Sequence, residues 1–141
     1  MPDPVVLFTA VILLVPMGYF LLAAPAFLLV KLDIAPVAQL LRGMFNAYFL
    51  AMTIAGAIGT VAFAAEGRLV VAVGIALIAA FAVWARRWFL PQMDAQISAR
   101  DAGDADAVRR LRRLHWKGML CNAVQLIAIV GSIPYIAVTP T

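Results

Sequence analysis

Charge is almost wholly confined to the gaps between four long uncharged runs, and that pattern constrains the fold of this 141-residue chain more than anything else in it. The runs are Val5–Val30, Gly43–Ala65, Leu69–Ala85 and Gly118–Thr141. A bilayer core of roughly 30 Å takes about 20 apolar residues at a rise of about 1.5 Å each. The first, second and fourth runs reach that length, and the third borrows from its flanks. Charged residues are only 13% of the chain and hydrophobic residues 65%, whereas a soluble domain carries about 25% charge. The expected fold is an all-α membrane protein, one integral membrane domain over residues 1–141 built as an up-down-up-down four-helix transmembrane bundle. The expected helices cover about 5–30, 40–65, 69–90 and 104–138, the last with a cytoplasmic extension.

The opening Met-Pro-Asp-Pro lacks the basic n-region of a cleaved signal peptide. The apolar run ahead of Ala23-Ala24-Pro25-Ala26 is longer than a usual h-region, so the first segment is expected to be retained. A single cysteine, Cys121, excludes an intrachain disulfide. The net charge of +4 is a matter of membrane topology here and does not point to a nucleic-acid partner.

Four spans place both termini on one side, together with the short turn Glu66-Gly67-Arg68. Ten of the 11 Lys and Arg residues fall on the other side: Lys31, Arg42, Arg86, Arg87, Arg100, Arg109, Arg110, Arg112, Arg113 and Lys117. The positive-inside rule makes that side cytoplasmic. The expected location is a bacterial inner (plasma) membrane, with periplasmic termini and with loops 31–42 and 86–117 in the cytoplasm. Trp84, Trp88 and Trp116 gather at the cytoplasmic helix ends, where an aromatic belt belongs.

Pro16 and Pro25 interrupt the first run and predict a kink or break, because each removes a backbone donor. Pro36 suits the first turn of helix 2, where its missing donor costs nothing. Helix 2 carries Ala47, Ala51, Ala55 and Gly59 at intervals of four, and helix 3 carries Ala72, Ala76 and Ala80. Such stripes permit close backbone approach in a membrane. The three-residue turn makes the two helices neighbours, so the stripes are expected to face each other. Pro91 is expected to end or kink helix 3. Asp101, Asp104 and Asp106 suit the start of helix 4 through the helix dipole, and Asp106–Arg110 is a favourable i,i+4 pair.

The only histidine, His115, precedes the fourth run. Met119, Asn122 and Gln125 continue its side of the helix, and Arg112 precedes it by one turn. Arg42, Asn46 and Thr53 form a comparable row on helix 2. If the rows face each other, Arg42, Asn46, His115 and Asn122 define a ligand-binding pocket at cytoplasmic depth, with Gln92 and Asp94 closing it from a loop. Arginine would pair with an acidic head group, and His115 would act as base or hydrogen-bond donor. The alternative is that both asparagines are interhelical glue at about 0.6 kcal/mol each, with His115 and the arginines as interfacial anchors. Arg109, Arg110, Arg112 and Arg113 are candidates for anionic lipid head groups at about 1 kcal/mol each. One His and one Cys do not supply a metal-ligand set, and His115 with Met119 would ligate haem or copper only with a partner's help. No residue pattern assigns a cofactor or a catalytic group.

Gly18-Tyr19-Phe20 with Ala24-Pro25, Leu41-Arg42 with Asn46-Ala47-Tyr48-Phe49, and Leu90-Pro91-Gln92-Met93-Asp94 with Leu114-His115 and Asn122 span Gly18 to Gln125. In these pieces the chain resembles a family of small four-span bacterial membrane proteins of unknown function, related to the anthrone-oxygenase-like membrane proteins. The resemblance implies a left-handed four-helix bundle with a polar cluster at its cytoplasmic end. For the anthrone-oxygenase branch it implies cofactor-free oxidation of an aromatic substrate. The small-residue stripes, the minimal loops and the lack of a catalytic set lead to the expected function: a non-enzymatic interaction protein, either a free-standing bundle, a homo-oligomer or an accessory subunit of a larger membrane complex. The alternative is a membrane-embedded enzyme or binder for a lipophilic small molecule such as a quinone, lipid or aromatic.

Overall fold

A computed structural model of the chain describes residues 4–28 and 35–136. Lys31, residues 29–30 of the first run and the end of helix 4 expected at 138 lie outside them. The described residues form four α-helices: α1 (Pro4–Ala23), α2 (Ala35–Ala65), α3 (Leu69–Asp101) and α4 (Ala107–Ile136). Each is long and apolar enough to cross a membrane. α1 packs on α2 and α4, and α3 packs on α2 and α4, with the α2–α3 seam the most extensive. Large apolar side chains such as Leu22, Val70 and Ile127 stand outward at 80%, 88% and 73% exposure. A surface this apolar belongs in lipid rather than water.

α1 is shorter than the expected helix over 5–30. Proline disfavours helical backbone in the residue before it, and the α-helix stops at Ala23, just ahead of Ala24-Pro25. The chain then tightens into a 3₁₀ turn, Ala24–Leu28. Pro16 stays inside α1. α2 begins at Ala35, earlier than expected, with Pro36 in its first turn.

Two glycines close the helical hairpins by the same device. Gly67 and Gly103 have φ of 78° and 95°, where a side chain is strained and glycine is not. At the end of α2, Arg68 N–H donates to Phe63 O and Gly67 N–H to Ala64 O, each at 3.0 Å. At the end of α3, Asp104 N–H donates to Ala99 O at 2.9 Å and Gly103 N–H to Arg100 O at 3.0 Å. This is the Schellman pattern, which satisfies carbonyls the helix leaves open. Arg68 also lies over the Phe63 ring, 5.4 Å from its centroid.

α3 runs on past residue 90, through Pro91, to Asp101. A mid-helix proline costs about 3 kcal/mol, so the continuation has to be held from outside. Phe89, Leu90, Met93 and Ile97 are buried on one face. Asp94 is ion-paired with Arg42 of α2, and Gln96 accepts from Arg110 Nε of α4 at 2.6 Å. Pro91 itself is exposed, so its ring displaces no packed neighbour. The polar stretch is therefore a helical hairpin, not a loop, and both α3 and α4 extend past their apolar runs. α3 has 33 residues, about 50 Å at a rise of about 1.5 Å, well beyond a core of roughly 30 Å.

α4 starts at Ala107, slightly later than the expected 104. Asp104 Oδ1 accepts from Asp106 N–H at 2.9 Å, and Asp104 O accepts from Ala107 N–H at 3.3 Å. The expected Asp106–Arg110 side-chain pair does not form. Arg110 reaches back to Asp104 and Gln96, both off the helix it belongs to.

The small residues do bring α2 against α3, in a different register from the expected stripe. A Cβ added at Gly56 would lie 2.8 Å from Ala79 Cβ and 3.2 Å from its Cα. One at Gly59 would lie 2.6 Å from Thr9 Cγ2 and 3.3 Å from Ile75 Cγ2. Ala47 and Ala80, at the ends of the expected stripes, are exposed. A four-residue repeat drifts around a straight helix of 3.6 residues per turn, so no such stripe stays on one seam for four turns.

Candidate functional site

Aromatic rings fill the bundle at the Arg42 end. Phe45 is their hub, with ring centroids of Phe20, Phe89 and Phe49 at 5.2, 5.7 and 5.9 Å. Gly118 makes room for it, since a Cβ there would fall 2.1 Å from Phe45 Cε1. His115 lies one turn before Gly118 and is fully buried. Its ring meets Phe27 and Phe45 edge to face, at 6.1 and 6.3 Å. Neither ring nitrogen has a hydrogen-bond partner among the described residues. The Ala24 backbone lies beside the ring, outside the geometry of a formed bond. A buried polar group left in that state costs about 1–3 kcal/mol.

Asn122, two turns further along α4, is also buried but bonded on both sides. Tyr48 donates its hydroxyl to Asn122 Oδ1 at 2.7 Å, and Asn122 Nδ2 donates to Met17 O at 3.2 Å. The Met17 carbonyl only accepts, so it fixes which end of the amide faces α1. One donor hydrogen and one acceptor lone pair of Asn122 are left over. Asn122 also lines a cleft of about 230 Å³ between α1 and α4, with Phe20, Pro25, Trp116 and Met119. Apart from Asn122 the lining is almost wholly apolar. Neither Tyr48 nor Met17 is among the expected site residues. A tyrosine inside an uncharged run was the available signal, since a buried phenol needs a partner.

Arg42 and Asn46 stand elsewhere. Arg42 makes two contacts with Asp94 of α3, and Asn46 Oδ1 accepts from Arg86 Nε at 2.9 Å. Both pairs sit on the α2–α3 seam, while His115 and Asn122 face α1 and the interior side of α2. Phe45, Phe49 and Phe89 pack ring on ring across α2 and α3, and none of the four residues bonds to another. The four expected pocket residues are thus two pairs, not one cluster. Asp94 takes part from within α3 rather than from a loop. Thr53, third in the expected row, bonds its own helix at Phe49 O, 2.8 Å away. Side chains of Arg42 and Asp94 are 33% and 51% exposed, so in water the pair is worth only about 0–1 kcal/mol.

The four-arginine run divides as well. Arg110 is held by Asp104 and Gln96, and Arg112 Nη1 donates to Phe27 O at 3.3 Å, tying α4 to the 3₁₀ turn. Arg109 and Arg113 are exposed. Cys121 is a free thiol on the α3–α4 side. Among the described residues no three His, Cys, Asp or Glu side chains gather to hold a metal ion.

Comparison with known proteins finds no matching family model, curated protein or solved structure.

Proposed function

We propose that this protein is a multi-pass membrane protein that binds a lipophilic small molecule in the cleft between α1 and α4. Asn122 carries the reading. It is a polar side chain with unused hydrogen-bonding capacity, set in an otherwise apolar cleft within the uncharged run of α4. Polar groups inside a membrane-spanning segment are expensive and generally functional. His115, without a hydrogen-bond partner among the described residues and one turn from the cleft-lining Met119, supports it as a second group that a polar head would satisfy. The small residues that favour an interaction subunit are used up inside the chain, at Gly56 against Ala79 and Gly59 against Thr9.

In this reading the bundle runs up-down-up-down. The end carrying Arg42, Arg86, Arg112 and Lys117 is cytoplasmic by the positive-inside rule, and Arg68 marks the opposite face. The ligand would enter sideways from the bilayer and place its polar end against Asn122.

The test is extraction and mass spectrometry of the purified protein beside two variants. Asn122→Leu removes the polar floor, and Ala123→Phe fills the cleft from its wall while leaving Asn122 in place. A lipophilic molecule retained by the wild type and lost from both, with helix content unchanged, is the expected result. Equal retention in all three proteins overturns the assignment of the cleft.

A further inference from the structure

The α3–α4 face carries a second feature, remote from Asn122. Lys117 Nζ lies over the Trp88 ring, 5.4 Å from its centroid. Trp88 is stacked on Trp84 at 6.2 Å with an interplanar angle of 15°, and Trp84 meets Phe81 at 5.7 Å. Lys117 is the last charged residue of α4, and Arg87, beside Trp88, is exposed. Immediately on the apolar side of this pair lies a groove of about 490 Å³, within the range of roughly 300–1,000 Å³ of small-molecule sites. Leu77, Ile78 and Phe81 form one wall, and Leu120, Val124 and Gln125 the other. Lys117 stands one turn before the groove-lining Leu120, and from Leu120 to Gln125 the groove follows α4 for about 7.5 Å at a rise of about 1.5 Å per residue.

We infer that this face binds one anionic phospholipid, its phosphate at Lys117 and one acyl chain in the groove. The inference rests on the membrane-spanning reading but not on the α1–α4 cleft. The charge argument selects the occupant. Among the described residues Asp94, Asp101 and Asp104 are each paired with an arginine, while Arg87, Arg109, Arg113 and Lys117 make no ion pair, so this end keeps a positive excess. Trp88 holds the ammonium over its face by cation–π attraction, and Lys117 keeps donors free for a phosphate oxygen. Order along the helix matches the order within a lipid: cation first, aromatic belt beside it, apolar groove beneath.

Reconstitution of the full chain in nanodiscs of zwitterionic phosphatidylcholine with a minority of phosphatidylglycerol, followed by native mass spectrometry of retained lipid, tests this. Recovery of protein in the discs checks the membrane reading separately. Retained phosphatidylglycerol should exceed its bulk share and fall about fivefold in Lys117→Gln, the effect of one basic residue near a lipid surface. Lys117→Arg should keep it. Val124→Trp, which fills the groove and leaves the charge, should also lose it. Arg68→Gln removes the same charge at the far end of the bundle and should change nothing. Retention at the bulk lipid ratio overturns the inference. So does an equal drop in Arg68→Gln, or full retention in Val124→Trp, since either outcome reduces the effect to general charge.

Discussion

Tyr48 and Asn122 meet at 2.7 Å in the buried centre of the bundle, joining α2 to α4, and the same amide reaches α1 through Met17 O. One side chain thus ties three helices at a single level. Interhelical hydrogen bonds in membranes average about 0.6 kcal/mol and reach about 1.7. Tyr48→Phe, Asn122→Ala and the double variant, unfolded in mixed detergent, should give a coupling energy in that range. Tyr48→Phe alone should cost more than Thr53→Val, because Thr53 serves only its own helix. A coupling energy of zero would mean that the two groups are satisfied independently.

Gly118 is the tightest point of the aromatic cluster. A methyl group there would meet Phe45 at 2.1 and 2.5 Å, and Phe45 is hemmed in by Phe20, Phe49 and Phe89. Gly118→Ala should therefore destabilise the bundle by about 1–3 kcal/mol, the usual range for overpacking. Gly18→Ala, with nothing within 4 Å, is the matched control and should be neutral or mildly stabilising. Thermal melts of both variants in one detergent compare them directly.

The fold was far more readable in the sequence than the site. Uncharged length alone marks the four helices, because the bilayer dictates it, and Glu66-Gly67-Arg68 places the first hairpin turn. Pro91 misleads, since its effect depends on whether Met93, Ile97 and Asp94 find partners across the bundle, which is tertiary information. The pocket misleads for a geometric reason. Arg42 and Asn46 are one turn apart and do share a face, but Phe45, Tyr48 and Phe49 take the interior of α2 and turn that face toward α3. His115 and Asn122 were readable as a pair on one side of α4. Their partners were not, because a backbone carbonyl such as Met17 O leaves no mark in a sequence.

Asp104 makes the α3–α4 turn sensitive to acid. Its bond from Arg110, and secondarily from the Asp106 N–H, holds its carboxyl below the usual carboxylate range. A folded pKa lower than the unfolded one means the contribution is complete above the unfolded value of about 4 and is lost as pH falls through the folded one. Amide exchange at Asp106 and Ala107 should accelerate below about pH 4 relative to exchange in the helix interiors. Asp104→Asn should remove that dependence, and a wild-type profile with no acid limb would show that the turn is held by its glycine alone.

Orientation is open to a labelling experiment whose sites the backbone selects. Gly67 and Gly103 are the obvious turn positions, but each has a positive φ, and a cysteine there would strain the turn by about 1–2 kcal/mol. Ala65 and Ala102 are exposed, flank the same two turns and keep ordinary backbone. Cys121, the only native thiol, is first replaced by alanine. In intact cells a membrane-impermeant maleimide should then label Ala65→Cys and spare Ala102→Cys until the membrane is opened. The reverse pattern would place Arg87, Arg113 and Lys117 outside the cell, against the charge rule that every basic residue at that end follows.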